Sequence, residues 1–480
     1  MTVLLVIPAV LAVLILVVLL RAALLKPTAA KTAEVKLDDS PRARAYGEQL
    51  SRLVRMETVS SRFDPDRQKF LDFHRELENM FPLIHRTCEK RVFNGSLLFR
   101  WKGKGNGKPI LLMSHHDVVE ANGEWEHGPF SGDIDEQGRV WGRGTVDTKA
   151  SLFCILTAVE EMIRDGYVPG RDVYVASSCT EEWSGEGAPL TVEYLKEQGV
   201  KLDFLLDEGG MVIEEPVAGV KGTYAMVGVL EKGYGDVRFT ARGKGGHASA
   251  PGKNTPLVRL GKFMAAMEKK SPFTSRFNPT VKEMFSRMAP NMTFGMKAIF
   301  ANLWLFEPLL TRLLPSISTA AGAMLHTTLA FTMAKGADGL NVLPQEAWVT
   351  ANMRFIPHQP TEESIAIISR EAEKFGLETE VIYSDDPCPA VDFRGDAFCL
   401  IEEAAAQIYP GVGVCPYVMT GGTDAKYYRD LSDNCLRFAP LYIDGQQYAS
   451  IHGLNENIFQ GALPLGVDFY KKVIRGSEKN

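Results

Sequence analysis

Short polar segments that carry histidine or carboxylate groups directly follow three apolar runs of the sequence. The segment Ser114–Asp117 (SHHD) follows an apolar run at 109–113, and Glu181 and Glu182 follow a second run at 172–178. Asp207 and Glu208 end a third run, which begins at 204. The length and composition of these runs are typical of buried strands. Because ligands of an open α/β sheet bind beyond the carboxyl ends of its strands, these side chains are predicted to meet at one edge.

Two further residues could join them. Asp147 lies just before an apolar periodicity at 150–164 that predicts a helix, and His452 stands near the C-terminus. Grouped carboxylates repel one another and require a cation. Imidazole and carboxylate together suit zinc, or manganese or cobalt. Each feature alone has an ordinary explanation, such as a helix N-cap for Asp147 or a solvated pair for the two glutamates. Their joint placement predicts a metal site.

Longer motifs around these residues carry a family resemblance. The order and spacing resemble the co-catalytic zinc peptidases, which include carboxypeptidase S, aminoacylase, the secreted N-acyl-amino-acid hydrolase and succinyl-diaminopimelate desuccinylase. The similarity covers about residues 46–470 and is greatest to the carboxypeptidase S branch. It rests on SHHDVV, GRGTVDTKAS, TEEWSGEGA, DEGG, GGHAS, NVLP, GGTDAKYY and IHGLNE.

The resemblance implies two Zn²⁺ ions per subunit, with cobalt or manganese as substitutes. Asp147 would bridge both ions. His115 and an acid of the DEGG motif would complete one metal site, and Glu182 with His452 the other. The carboxypeptidase S-like branch points to Asp207 as that acid, whereas aminoacylase-like relatives point to Glu208. Asp207 is chosen here because that branch is the closer match.

The resemblance also implies catalytic roles. Glu181 would act as the general base on a water that bridges the two metals, although a plain salt-bridge role is the alternative. Asp117 would accept the far N–H of His115 and so fix its tautomer. His247 would reach the oxyanion of the tetrahedral intermediate, often from the neighbouring subunit, so a homodimer formed through the inserted domain is expected.

Substrate-binding residues are implied on both domains. Asn341 and Arg354 match positions that hold the substrate carboxylate, and Gly422 and Thr423 match a loop that lines the same pocket. A guanidinium suits this task because its planar fork pairs with a carboxylate through two hydrogen bonds.

The coarse pattern predicts an α/β protein. Strands that alternate with helices indicate a mostly parallel sheet covered by helices on both faces. The pattern changes near Thr223, where two strand-like stretches at 224–230 and 234–242 predict an inserted α+β module. The expected domains are a catalytic part at 42–222, a lid and dimerisation domain at 223–385, and a second catalytic part at 386–480.

Residues Thr2 to Leu20 form an uncharged apolar run that Arg21 ends, within an expected anchor at 1–21. Its length favours a single transmembrane anchor, followed by a linker at 22–41. A cleaved signal peptide is the rival interpretation, but a basic n-region and a cleavage site are not evident. Basic residues follow the run, so the positive-inside rule predicts a cytoplasmic catalytic body.

Bulk properties narrow the remaining choices. A net charge of −6 and a pI near 5.9 argue against nucleic acid as a partner. The seven cysteines form no C-x-x-C pair and are expected to be mostly buried free thiols. The Phe-, Leu- and Trp-rich stretch at 291–314 is either a core helix, an apolar wall for an acyl chain, or a membrane-facing patch.

Three functions remain open at this point. The leading hypothesis is a carboxypeptidase or dipeptidase that cleaves an amide bond next to a free carboxylate. The alternative is an aminoacylase-type hydrolase of fatty-acyl amino acids. A metal-free receptor or scaffold that keeps the fold is the third, and it predicts the loss of a ligand or of the base, which this sequence retains.

Overall fold

A computed structural model describes residues 2–27 and 35–479 of the chain. Its main feature is a mixed sheet of ten strands with four parallel strands at its centre. The strands lie in the order Glu89–Phe93, Ser96–Trp101, Val173–Ser177, Ile110–Met113, Leu205–Asp207, Cys435–Arg437, Thr223–Glu231, Val212–Glu214 and Tyr442–Ile443, with Gly413–Met419 also paired to Thr223–Glu231.

Helices cover both faces of this sheet, as the sequence predicts. Alternate residues of a strand point to opposite faces, so Ile110 and Leu112 enter one apolar core while Leu111 and Met113 enter another. The first core is closed by the helices Pro41–Val54, Gln68–Met80, Lys149–Arg164, Asp396–Ile408 and Leu463–Gly476. The second is closed by the helix Gly187–Glu197. Central strands buried on both sides explain the uninterrupted apolar runs of the sequence.

A second, four-stranded antiparallel sheet forms a separate layer. Its strands lie in the order Thr328–Lys335, Glu346–Phe355, Gly233–Arg242 and Glu378–Asp385. The helices Pro256–Lys269 and Thr361–Glu373 pack on it through an apolar core of their own. A two-stranded ribbon, Gly246–His247 with Val342–Leu343, extends from one end of this sheet.

The strand Thr223–Glu231 does not belong to the inserted domain, although the sequence predicts that this domain begins at residue 223. It lies in the large sheet, and all nine of its residues are buried. The neighbouring strand Gly233–Arg242 alternates between buried and half-buried residues over its first half, and it belongs to the small sheet. Two β-rich stretches close in sequence look like one hairpin, but the pairing places them in different sheets, so the inserted domain begins at about residue 233.

A helical segment inside the predicted lid also packs elsewhere. It comprises the helices Pro279–Met288, Phe294–Phe300, Leu303–Ile317 and Thr319–Ala323. Met284, Phe285 and Phe300 share a core with Tyr224 and Cys415 of the large sheet. The segment therefore leaves the small sheet and covers the strands Thr223–Glu231 and Gly413–Met419.

The two chain crossings between the sheets lie side by side. The outgoing crossing is at 231–233 and the returning one at 385–388, where the Cys388 N–H donates to the Glu231 carbonyl at 3.1 Å. A side chain at Gly233 would lie 2.5 Å from the Asp385 carbonyl oxygen, so the crossing requires glycine there.

The N-terminal helix Thr2–Leu24 includes an apolar stretch, Ile7–Leu24, of mean hydropathy 2.8, long enough to cross a bilayer. A signal sequence would meet the same description. The expected linker at 22–41 is only partly described, because residues 28–34 lie outside the described ranges. Beyond that gap, Val35 and Leu37 pack partly against the large core, and the Asp38 N–H donates to the Gly461 carbonyl.

Candidate metal and catalytic centre

The predicted ligands His115, Asp147, Glu182 and His452 meet at the carboxyl edge of the large sheet. One oxygen of Asp147 lies 3.0 Å from Nε2 of His115, and its other oxygen lies 3.0 Å from Nε2 of His452. His452 Nε2 is also 3.1 Å from Oε2 of Glu182. Potential ligand atoms of His115, Asp147 and Glu182 all lie within 4.8 Å of one another, a separation that suits a shared metal ion. Asp147 therefore has the geometry of a bridging carboxylate.

The sheet explains why distant residues converge here. The strands Val173–Ser177, Ile110–Met113 and Leu205–Asp207 are parallel neighbours, so the segments that follow them emerge together. Glu181 and Glu182 lie in a single helical turn after the first of these strands. His452 reaches the same edge from the loop after the helix Gly445–Ser450 and adopts a left-handed backbone with φ of 57°.

A buried carboxylate, Glu456, holds the loop that presents Asp147. Its oxygens accept hydrogen bonds from the backbone N–H groups of Gly144, Val146 and Asp147, at 2.8 to 3.1 Å. They also accept one from Arg143 at 2.7 Å. Glu456 belongs to the IHGLNE motif, yet sequence reasoning assigned it no role. Its position four residues after His452 was the available indication.

The charges at this edge favour a bound cation. Burial and the charge of Asp147 raise the pKa of Glu182 to about 7, despite its hydrogen bond with His452. Hydrogen bonds with Asp147 and Glu182 raise the pKa of His452 to about 10. Burial also raises the pKa of Asp207 to about 6 and, with the nearby charge of Asp207, that of Asp424 to about 7. Carboxylates crowded in this way repel one another, and divalent ions would relieve that repulsion. The donor set therefore fits a metal centre.

Glu181 lies beside the cluster. Its Oε2 is 3.9 Å from Nε2 of His115, and burial raises its pKa well above the ordinary value for glutamate. Asp117 supports both neighbours of this site. One of its oxygens accepts the Glu181 N–H and the other accepts the Glu182 N–H. His115 Nδ1 lies 2.9 Å from the Asp117 backbone carbonyl and 3.4 Å from its carboxylate, so the backbone shares the orienting role expected of the side chain.

Both candidate acids of the DEGG motif are buried near the cluster. Asp207 lines the same small cavity as His115 and Glu181, and its two oxygens accept the backbone N–H groups of Glu208 and Ala425. Burial, followed by the charges of Asp147 and Asp207, raises the pKa of Glu208 well above its usual range. The shared cavity favours Asp207 as the metal ligand of this motif. Glu208 also lies near Asp147 and Asp207, because their charges, in addition to burial, raise its pKa.

The structure does not bring His247 and Asn341 to the cluster. Both are exposed on the two-stranded ribbon, where the Ala248 N–H donates to the Asn341 carbonyl at 2.9 Å. His247 Nδ1 accepts hydrogen bonds from the N–H and hydroxyl of Ser249. Within residues 2–27 and 35–479, neither side chain forms a hydrogen bond or ion pair with the metal cluster.

Arg354 and Lys426 form a cationic pair around Tyr234. The Arg354 guanidinium lies 4.7 Å from the Tyr234 ring centre and the Lys426 ammonium 5.7 Å from it. Arg354 donates to Asn352, and Lys426 donates to the Ser184 hydroxyl in the loop that follows Glu182. Among the described residues neither cation has a carboxylate within ion-pair distance, although Lys426 is buried. Sequence reasoning did not assign Lys426, whose only indication was its place in the GGTDAKYY motif.

The predicted loop residues Gly422 and Thr423 lie next to this pair. A side chain at Gly422 would come within 3.4 Å of Arg354 Nη1. Both the N–H and the hydroxyl of Thr423 donate to Glu231, which is buried in an ion pair with Arg437 at 2.8 Å. The loop is thereby held against the end of a strand of the large sheet.

Fold and site together define a metal-dependent hydrolase with a histidine–carboxylate centre at the carboxyl edge of an α/β sheet. Comparison with known families gives the narrower assignment. The family described as "Peptidase family M20/M25/M40" matches this chain over residues 111–476, and the chain belongs to this family of metallopeptidases.

Named relatives agree with this membership. The chain is 31% identical over 450 residues to the probable carboxypeptidase S-like 2 of Dictyostelium discoideum, covering 90% of this chain and 85% of that one. It is 33% identical over 439 residues to the N-fatty-acyl-amino acid synthase/hydrolase PM20D1 of Xenopus tropicalis, with the same coverage.

Solved structures share the fold. An M20 family metallo-carboxypeptidase of Sulfolobus solfataricus, Sso-CP2, aligns with a TM-score of 0.65 at 15% identity over 91% of this chain and 99% of that one. Human carnosine dipeptidase 1 aligns with a TM-score of 0.66 at 12% identity over 92% and 97%.

Proposed function

We propose that the protein hydrolyses an amide bond next to a free carboxylate, as a carboxypeptidase or dipeptidase with two zinc ions. The observation that carries this proposal is Asp147, which has one histidine on each carboxylate oxygen and Glu181 close by. His115, Asp207 and Asp147 would hold one ion, and Glu182, His452 and Asp147 the other. When bound, the two ions would supply positive charge that acidifies water and polarises the scissile carbonyl.

Glu181 would act as the general base. Its carboxylate lies at the edge of the cluster and forms no ion pair with a lysine or arginine among the described residues, so it is free to accept a proton. It would take the proton of the attacking water and deliver it to the leaving nitrogen. Asp117 positions this residue through the Glu181 N–H, and it positions His115 as well.

The cationic pair would bind the substrate carboxylate. Arg354 lies on the inserted domain and Lys426 on the large-sheet domain, and within the described part of the chain neither forms an ion pair with a carboxylate. A carboxylate placed between them would neutralise both charges and accept hydrogen bonds from the guanidinium and the ammonium. This arrangement favours substrates that end in a free carboxylate over substrates that end in an amide.

A second candidate is hydrolysis of N-fatty-acyl amino acids. It is favoured by the relative of that name and by the apolar helical segment at 279–323, which could supply contacts for an acyl chain. The chemistry at the amide bond would be the same in both cases. The apolar contacts available to the acyl side would separate the two functions.

The decisive experiment compares wild type with Glu181→Gln on dipeptides, on N-acyl amino acids of rising chain length, and on the amidated form of each. Wild type should cleave only carboxylate-terminated substrates, and the preferred acyl length identifies which candidate holds. Glu181→Gln should retain its metal and lose about 100- to 10,000-fold in turnover. Glu186→Gln, in the same loop and paired with Arg67, is the matched control and should stay active. Unchanged turnover in Glu181→Gln refutes the proposed base.

We also propose that the N-terminal helix is a retained single-pass anchor, with the catalytic body on the cytoplasmic side and a homodimer formed through the inserted domain. Support for the anchor is the apolar stretch Ile7–Leu24, and support for the orientation is the basic flank that begins at Arg21. Protease protection of the body in sealed vesicles would test the orientation. Light scattering of the solubilised protein would test the dimer.

A further inference from the structure

The helix Leu303–Ile317 exposes large apolar side chains over a broad arc of its surface. Trp304, Leu309, Leu313 and Ile317 are 55%, 52%, 43% and 73% exposed, and Leu310 is the one buried residue of this helix. Leu309, Leu313 and Ile317 follow one another along one side of the helix, and exposed apolar surface of this kind indicates an interaction site.

The charges of this helix are arranged asymmetrically. Glu307 is the helix's only acid, and it pairs with Lys282 of the body at 2.8 Å. Arg312 is the only base, and it lies on the exposed side, between Trp304 and Leu309 on a helical projection. An arginine can extend its charged end past an apolar surface to the lipid headgroups, whereas an exposed acid would be repelled by anionic lipid.

The same segment is tied to the N-terminal helix at two points. The Asn302 side chain donates to the Val18 carbonyl at 3.2 Å, and the Lys297 ammonium donates to the Leu25 carbonyl at 2.7 Å. Ala22, between these two points, is fully buried against the body. The last two turns of the N-terminal helix are therefore packed against the short helix Phe294–Phe300 and against Asn302, which immediately precedes Leu303–Ile317.

These contacts fix the level of the exposed helix relative to a bilayer. Val18 lies inside the apolar stretch Ile7–Leu24 and three residues before Arg21, which corresponds to about 4.5 Å along a helix. A bilayer that covers the apolar stretch must therefore reach the level of Asn302. The helix that begins at Leu303 then starts at the boundary between acyl chains and headgroups.

We propose that Leu303–Ile317 is a second membrane-binding element, an interfacial helix that lies in the bilayer entered by the N-terminal helix. The helix would bind the region where the acyl chains meet the headgroups, with Trp304, Leu309, Leu313 and Ile317 in contact with lipid. Amphipathic interfacial helices combine an apolar face with basic residues and aromatic anchors in this way. One membrane would then cover both the N-terminal helix and the exposed side of Leu303–Ile317, because the contacts at Asn302 and Lys297 hold the two elements at one level.

The test uses the full-length protein in phosphatidylcholine–phosphatidylglycerol vesicles at a high lipid-to-protein ratio. The fluorescence of Trp304 is obtained as the difference between wild type and Trp304→Phe. This component should be quenched by lipids brominated on the acyl chains and protected from aqueous iodide. Quenching by iodide alone would place the helix in water and overturn the proposal. Protection from both quenchers would mean that protein, such as a second copy, covers the helix, and would also overturn it.

A pair of charge variants gives an independent check. Leu309→Glu with Leu313→Glu should lose most of the acyl-chain quenching of Trp304, because two carboxylates oppose burial in lipid. Val381→Glu with Ile382→Glu, at two exposed positions of the small sheet, is the control and should keep it. Thermal unfolding in detergent should be unchanged for both, since all four positions are exposed. Equal quenching in the two double variants, or a mature protein that lacks residues 1–24 by mass spectrometry, would refute the proposal.

Discussion

The metal-ligand cluster and the ribbon that carries His247 are built in opposite ways. The cluster lies at a fixed sheet edge with the side chains of His115, Asp147 and Glu182 largely buried and His452 exposed, and its members already lie within hydrogen-bonding distance of one another. The ribbon is a two-stranded, exposed extension with two paired residues on each strand. The chain therefore preassembles the part of the site proposed to bind metal, whereas the oxyanion contact proposed for His247 would require a movement or another copy.

Within this comparison, the largest expected effect is on turnover, after substitution of His247 in the ribbon. His247→Ala should lower turnover by about 100- to 1000-fold, the usual effect of removing an oxyanion donor, and should leave metal content unchanged. His127→Ala is the control, because His127 is a half-exposed histidine stacked on Trp141. Metal analysis and steady-state kinetics on the same samples make the measurement.

Mixed dimers of two variants would show which copy supplies His247. If a partner copy supplies His247, co-expression of His247→Ala with Glu181→Gln should restore part of the activity, because one of the two sites would be intact. Activity no higher than that of the separate variants would show that each chain uses its own His247.

A smaller effect is expected on the cluster side. Glu456→Gln keeps the size of the side chain but weakens the hydrogen bonds that hold the loop of Asp147. Metal affinity should fall about 10- to 100-fold, as is typical when the groups that support a ligand are changed. Glu126→Gln, which alters an exposed contact with Asn455, is the control. Competition with a chelating dye measures the affinity, and an unchanged value would show that the loop holds its shape without this charge.

The smallest effect is a pH dependence of metal binding. In the metal-free protein the pKa of His452 is raised to about 10 and that of Glu182 to about 7, so protons occupy these ligands at neutral pH. Metal must displace them, and affinity should therefore rise with pH. Metal affinity should rise about tenfold per pH unit above pH 7. It should rise more steeply below pH 7, where Glu182 is also protonated. Calorimetry in buffers of different ionisation enthalpy would count the protons released; a pH-independent affinity would contradict the electrostatic description.

Most of the cluster could be predicted from sequence because parallel strands make neighbours of residues that follow them. His115, Glu182 and Asp207 each stand at a strand end, and that position is readable from an apolar run. Glu456 and Lys426 could not be predicted in the same way. Their roles depend on backbone N–H groups and ring faces brought close by the fold, and no local pattern encodes those contacts.

The domain boundary shows a second limit. Both Thr223–Glu231 and Gly233–Arg242 are rich in β-forming residues and lie close in sequence, so the pattern alone places both in one inserted module. Burial of every residue in the first strand is the property that assigns it to the interior of the large sheet. Burial on both faces depends on what packs above and below, which includes the helices at 279–323, and these are distant in sequence.

The side-by-side crossings at 231–233 and 385–388 have a mechanical consequence. Arg354 pairs with Tyr234 beside the crossings, whereas Glu346, at the other end of the same strand, leads to the ribbon of His247. Ten residues of strand amount to a lever arm of about 30 Å. A swing of about 10° about the crossings would sweep the ribbon through about 5 Å and barely displace the guanidinium. The substrate carboxylate would stay bound near Arg354 while His247 approaches or leaves. The contact proposed between His247 and the oxyanion could therefore form after the substrate has bound.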